Sequence, residues 1–158
     1  ERVYRLERVI PPAAIPGTVR IAGAADRDLL LDWVDAFLVE ALGGPDRAQA
    51  VSVVDRALDH GQRTFYLWEV DGEPGSLAAA GGPTPNGVRI GPVYTPPTRR
   101  GHGYASAVTA AASQAQLDQG RRFVFLLTNL DNPTSNKIYQ AIGYEPVIDL
   151  DQLRFEAP

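Results

Sequence analysis

Residues 99–106, Arg-Arg-Gly-His-Gly-Tyr-Ala-Ser, set two arginines ahead of a pair of glycines, and a run of small helix-forming residues follows directly. The first amides of a helix have no partner inside it, and the helix dipole places partial positive charge at the same end. Bare backbone beside arginines at such a point suits an anionic group, a phosphate above all. Gly101 and Gly103 remove the side chains that would keep an anion away from the backbone. A solvated turn uses the same residue types, so context decides. A nucleoside triphosphate loop needs Gly-Lys-Ser/Thr, and no lysine stands here. A dinucleotide fold needs successive parallel βαβ units, whereas turn-linked strands precede this loop.

Other chemistries are closed by composition. The chain has no cysteine, which removes disulfides, thiolate metal sites and a cysteine nucleophile together. His60 and His102 are its only histidines, so a three-histidine metal centre is excluded and no metal is expected. No Gly-x-Ser-x-Gly elbow is present. The formal net charge of −4 and pI near 5.1 argue against a nucleic-acid partner. No segment offers the roughly 20 apolar residues of a membrane span, so a soluble, cytoplasmic protein is expected. The 158 residues suit one domain. The chain has no methionine, and residues 1–17 read as an extended segment and Pro-rich connector from a missing upstream region, with the domain over 18–158. A larger parent chain and an upstream partner domain follow as expectations.

The elements that position the loop can be placed by periodicity and turn chemistry. Residues 18–23 suit a short strand, and Leu30, Val34, Phe37, Leu38 and Ala41 recur at helical spacing before Gly43. A second helix follows, with Pro45 near its first turn and Gly61 past its end. Residues 64–70, 76–82 and 88–95 read as three strands joined by Asp-Gly and Asn-Gly turns, an antiparallel meander. Gly91-Pro92 in the last strand predicts a bulge or splay, because proline donates nothing to a ladder. The alanine-rich helix after the glycines carries Tyr104, Val108, Ala111, Ala112 and Ala115 on one face. It leads into Arg121–Leu130, an apolar run expected of a strand buried on both faces. Strand, helix and strand make one parallel crossover. Asn132 then caps a last helix with Pro133 at its first position and Gly143 past its end, and residues 144–156 supply terminal strand material. The fold class is mixed α/β.

Arg100-Gly101-His102-Gly103-Tyr104-Ala105 resembles the Arg/Gln-x-x-Gly-x-Gly/Ala motif of the GNAT family of N-acetyltransferases, between that fold's fourth strand and third helix. Asn132, Ser135, Tyr139, Gly143 and Tyr144 match its downstream Asn-x-x-Ala/Ser-x-x-x-Tyr-x-x-x-Gly-Phe/Tyr pattern. The resemblance implies a central mixed sheet with helices on both faces, opened into a V beside the splayed strand. It implies acetyl-CoA as cosubstrate, its pyrophosphate on the backbone of residues 101–106 with Arg99 and Arg100 adding charge, and its pantetheine arm along Val93, Tyr94 and Thr95. His102 stands at the variable position of the motif, near the phosphates, and Asn132 and Ser135 belong to the same binding surface. Tyr139 is implied as the acid that protonates the departing thiolate. An amine of a small molecule or peptide would attack the thioester directly in a ternary complex, with a backbone N–H near Val93 or Tyr94 facing the developing oxyanion.

The family often places a basic glutamate on the fourth strand, and Val88–Thr95 has no carboxylate. Glu40 and Glu69 are the alternatives, while Trp33 and Phe37, one helical turn apart, suit an acceptor pocket. The missing strand carboxylate equally suits a module that binds CoA without turning it over. A third alternative is an interaction domain that binds no CoA and whose arginines only solvate a turn. The acceptor amine has no signature in the sequence.

Overall fold

The computed structural model describes residues 1–151 and residue 153. Its strands are β1 (Arg2–Leu6), β2 (Thr18–Ile21), β3 (Arg63–Val70), β4 (Glu73–Gly81), β5 (Gly87–Tyr94), β6 (Phe123–Thr128) and β7 (Glu145–Asp149). Four helices, α1 (Arg27–Leu42), α2 (Arg47–His60), α3 (Tyr104–Asp118) and α4 (Pro133–Ala141), complete the fold. The strands form one sheet in the order β2-β3-β4-β5-β6-β1-β7, with β5 and β6 parallel and the other described neighbours antiparallel. The mixed α/β architecture, the antiparallel meander and the single crossover are all present.

Side-chain alternation divides the core into two layers. Leu30, Leu31, Val34 and Leu38 of α1 and Ala50 and Val54 of α2 pack on Phe65, Leu67, Leu77, Ala79 and Tyr94. On the other face Val108, Ala110 and Ala112 of α3 and Tyr139 of α4 pack on Tyr66, Ala78, Ile90, Val124 and Leu126. Alanine on α3 lets its backbone approach the sheet closely, which is why a helix of weak amphipathic pattern is buried nearly all round. Two polar side chains taken inside find partners: Gln116 Nε2 donates to the Tyr66 hydroxyl at 2.9 Å, and Ser113 Oγ and the Tyr144 hydroxyl share a bond at 2.7 Å, whereas the buried Thr109 hydroxyl has none among the described residues.

The splay expected at Gly91-Pro92 takes a definite form. Ala78 faces Val93 and Ala80 faces Ile90, so Gly91 and Pro92 together stand opposite Ala79. On its other side β5 pairs with β6 only over Gly87–Arg89 against Phe123–Phe125, and the two strands part beyond that point. A wedge therefore opens toward the glycine loop.

Three expectations are corrected. Residues 2–6 do not precede the domain: β1 lies between β6 and β7, with Tyr4 and Leu6 fully buried and the Glu1 amino group donating to Leu150 O at 2.8 Å. Three charged residues among the first five hide the alternation of Tyr4 and Leu6. The Pro-rich stretch after it is a strap across the α3 layer to the far edge of the sheet, held where Ile10 N donates to Ile142 O at 2.9 Å and Trp68 Nε1 to Pro16 O at 3.1 Å. Second, β6 is not buried on both faces. Val124, Leu126 and Thr128 are buried, but Phe123, Phe125 and Leu127 are half-buried, because the α1–α2 layer packs on β3, β4 and β5. Third, Pro45 precedes α2, whose N-cap is Asp46, accepting from Gln49 N at 2.9 Å. The expected terminal strand is β7 as far as Asp149, and residues 152 and 154–156 of that expectation lie outside the described residues.

Candidate functional site

The loop after β5 runs through a short turn at Pro97–Arg99 into Gly101, His102 and Gly103 and then into α3. Gly101 and Gly103 have φ of 82° and 81°, the left-handed region that costs a side-chain-bearing residue about 1–2 kcal/mol. Gly103 is the N-cap of α3 and carries no side-chain cap. Its carbonyl accepts the first helical bond, from Ala107 N at 3.0 Å, so the Tyr104, Ala105 and Ser106 amides precede the helical ladder. These three N–H groups, with the dipole of a 15-residue helix behind them, form the site's anion pole. His102 stacks on Tyr104 at 5.3 Å between ring centroids and makes no bond to an acidic partner among the described residues.

The two arginines divide their work. Arg100 Nε donates to Thr95 O at 2.9 Å, and its Nη2 donates to Glu40 Oε1 of α1 at 2.6 Å, so it ties the loop to the end of β5 and to α1. Its guanidinium carbon lies 5.9 Å from the centre of the Tyr94 ring. Arg99 is freer, with Glu73 Oε2 at 3.9 Å. The pairing with Arg100 was invisible in sequence because Glu40 and Arg100 are 60 residues apart.

Tyr94 O accepts from Ser76 Oγ of β4 at 3.1 Å, which points that carbonyl toward β4. Alternation along a strand then turns the N–H and C=O of Val93 toward the β6 side, where the pairing has ended. The Tyr94 ring lies on the α1 side, 6.0 Å from Trp33, and Trp33 and Phe37 are half-buried against that layer. Ser76 was missed in sequence, and only its fully buried hydroxyl, shared at 2.7 Å with Thr95 Oγ1, marks its place.

Across the wedge, α4 starts at Asn132, whose side chain accepts from Ser135 N at 3.1 Å. Tyr139 is buried in the layer between β6 and α4, its ring edge-on to Tyr144 at 6.0 Å, and burial pushes its phenol up to about 12. Its hydroxyl has no hydrogen-bond partner among the described residues, in contrast to Tyr144 with Ser113. The two glutamates named as bases are both engaged by arginines. Glu40 is held by Arg100, and Glu69 accepts from Arg20 Nε at the β2–β3 edge, away from the wedge. The described residues contain no group of three or more His, Cys, Asp or Glu side chains suited to a metal, and no described helix is long and apolar enough to cross a membrane.

These features assemble one wedge with bare amides at its rim and an unpaired strand edge along one wall, with Tyr139 in the core layer behind the β6 side. Solved structures share the arrangement of the chain. The AAC(6')-Iy structure in complex with the bisubstrate analogue CoA-S-monomethyl-acetylneamine superposes with a TM-score of 0.73 at 19% identity, over 89% of this chain and 99% of that one. A predicted acetyltransferase of Clostridium acetobutylicum with acetyl-CoA gives 0.69 at 17% identity, over 87% and 96%. The GCN5-related N-acetyltransferase of Kribbella flavida gives 0.63 at 18% identity, over 92% of this chain and 53% of that longer one. A comparison with curated proteins gives no sequence match. The fold is thus that of the GNAT acetyltransferases, and because the family model described as FR47-like protein matches residues 69–152, more than half its length, the chain belongs to the FR47-like family.

Proposed function

We propose that the protein is an acetyl-CoA-dependent N-acetyltransferase that passes an acetyl group to a primary amine by direct attack in a ternary complex. The observation that carries this reading is the convergence of three helix-start amides on the mouth of a wedge whose wall, from Ile90 to Tyr94, lacks a strand partner on one side. A pyrophosphate fits the first feature and an amide-bearing pantetheine arm fits the second. Bound there, acetyl-CoA supplies a thioester carbonyl as electrophile and a thiolate as leaving group.

The roles of the protein's own groups follow from their placement. Tyr104, Ala105 and Ser106 hold the phosphates by their N–H groups, Arg99 adds charge from the loop, and Arg100 keeps the loop in register with β5. The N–H of Val93, rather than that of Tyr94, faces the wedge and stabilises negative charge on the carbonyl oxygen. Tyr139 holds the thiolate by hydrogen bonding. Burial raises its phenol to about 12, which keeps it protonated and able to donate at neutral pH, and the proton that the amine loses on forming the amide balances the charge of the departing thiolate. Neither Glu40 nor Glu69 takes the amine's proton beforehand, since both are committed to arginines, and the nucleophile is the neutral fraction of the amine.

Calorimetric titration with acetyl-CoA and CoA tests the site. Both should bind the wild-type chain and bind Arg100→Ala about tenfold or more weakly, as expected when a charged hydrogen-bonded anchor is lost. Unchanged affinity would overturn the loop assignment. The arginine-bound glutamates favour one other reading, a CoA-binding module without turnover. Tyr139→Phe separates the two: an enzyme loses turnover and keeps CoA affinity, whereas a module has no turnover to lose.

A further inference from the structure

On the α1 side of the sheet, residues paired in register form a row that crosses the base of the wedge: Arg63 of β3, Gly81 of β4, Arg89 of β5 and Phe125 of β6. Arg89 and Phe125 are the last residues to pair before β5 and β6 part. The α1–α2 layer packs on β3, β4 and the Tyr94 end of β5, so it leaves open the face over the start of β5 and over β6, with Phe125 half-buried and Arg89 exposed.

Both arginines converge on Gly91, the residue at which the strand bulges. Arg63 is half-buried, and its Nη1 donates to Gly91 O. Arg89 Nε lies 3.9 Å from the point a Cβ on Gly91 would occupy, in otherwise open space. Seven other arginines form ion pairs with carboxylates, but neither Arg63 nor Arg89 has one among the described residues. Burial, and then the charge of Arg89, lower the pKa of Arg63, and an anion brought between them would offset that by favouring the charged guanidinium.

We propose that Arg63 and Arg89 form an anion-binding floor to the wedge, which selects acceptor amines that carry a carboxylate or phosphate group. Two guanidinium groups offer forked donors matched to such oxyanions, and the Phe125 ring supplies an apolar side wall. Gly91 and Val93 are two residues apart, about 6 Å along a strand. An anion at Gly91 thus places an amine a few bonds away beside the Val93 N–H, which suits a small amino acid or a phosphorylated amine. The orientation toward Val93 rests on the acetyl-transfer reading, and the anion site itself does not.

The test separates them. Glycine, O-phosphoethanolamine, ethanolamine and spermidine are titrated into the CoA-saturated chain while the guanidinium Nε–Hε signals of Arg63 and Arg89 are followed by NMR. The same four amines are then assayed for acetylation. The first two should shift both signals and the last two should not; a response to glycine alone identifies carboxylate, and one to O-phosphoethanolamine alone identifies phosphate. Exposed Arg89 tolerates substitution, so Arg89→Gln should weaken anion binding and raise KM for the anionic amine about tenfold, with acetyl-CoA affinity unchanged, and Arg89→Lys should fall between. Anion binding without acetylation of any amine would end the transfer reading and leave the anion floor standing. No arginine shift with either anion, or an equal effect of Arg89→Gln on every amine, would overturn the floor.

Discussion

Leu6→Ala asks whether the first strand belongs to the cooperative fold. Leu6 is 1% exposed, pairs with Val124 and shares a core cluster with Leu126, Ile142 and Tyr144. Deleting a buried leucine side chain to alanine costs about 2–5 kcal/mol, the loss of transfer energy plus the cavity left in a packed site. A protein of this length loses roughly 2–4 °C of Tm per kcal/mol, so the expected fall is about 4–20 °C. Leu42→Ala, at a position 48% exposed near the end of α1, should stay within about 0.5 kcal/mol and serves as the control. Thermal unfolding followed by far-ultraviolet circular dichroism measures both. A shift below about 2 °C for Leu6→Ala would mean that β1 is not part of the unit that unfolds, and the assignment of residues 2–6 to the sheet would fail with it.

Two more predictions concern the loop and the pH profile. Gly103→Ala meets only ordinary contacts, with Ile15 carbons at 3.6 and 3.8 Å, so its cost is backbone strain alone; about 1–2 kcal/mol of stability should be lost together with CoA affinity, and a variant as stable as wild type in chemical denaturation would show that φ is not positive there. Burial raises the Tyr139 phenol to about 12, which keeps it protonated at all pH values well below that point, so loss of this donor produces no falling limb up to about pH 10. With no side-chain base, kcat/KM for an amine should rise about tenfold per pH unit until the amine's own pKa is reached, and a bell-shaped profile centred near neutrality would refute both statements.

The sequence was most informative where one local pattern carried the whole message. Asn132-Pro133 sets the start of α4 by capping, and Gly91-Pro92 sets the bulge by what proline cannot donate. The meander was legible because its turns and strands are contiguous. What was not legible depended on pairs distant in sequence. Glu40 looked free until Arg100 was seen beside it, and Glu69 until Arg20 was. Arg63 and Arg89 carried no signal beyond being charges in apolar strands, because their meaning lies in a shared neighbour, Gly91, and in the lack of an ion-paired carboxylate among the described residues. The N-terminal strand was masked by its own arginines, since Arg2 precedes Tyr4 and Leu6 on their face and Arg5 separates them, which leaves only a short apolar trace.

The place of β1 in the sheet also bears on how the protein is made. Its two neighbours are β6 and β7, so Arg2 must meet Thr128 on one side and Asp149 on the other. A ribosome adding roughly 5–20 residues per second delivers β1 on the order of ten seconds before β6 exists. During that interval the meander and α1–α2 have all their local partners, while Tyr4 and Leu6 have none. The nascent chain therefore completes the α1–α2 side of the sheet first and carries Tyr4 and Leu6 without their partners until β6 and β7 have been made, the stage at which a chaperone that grips this segment would have most to protect.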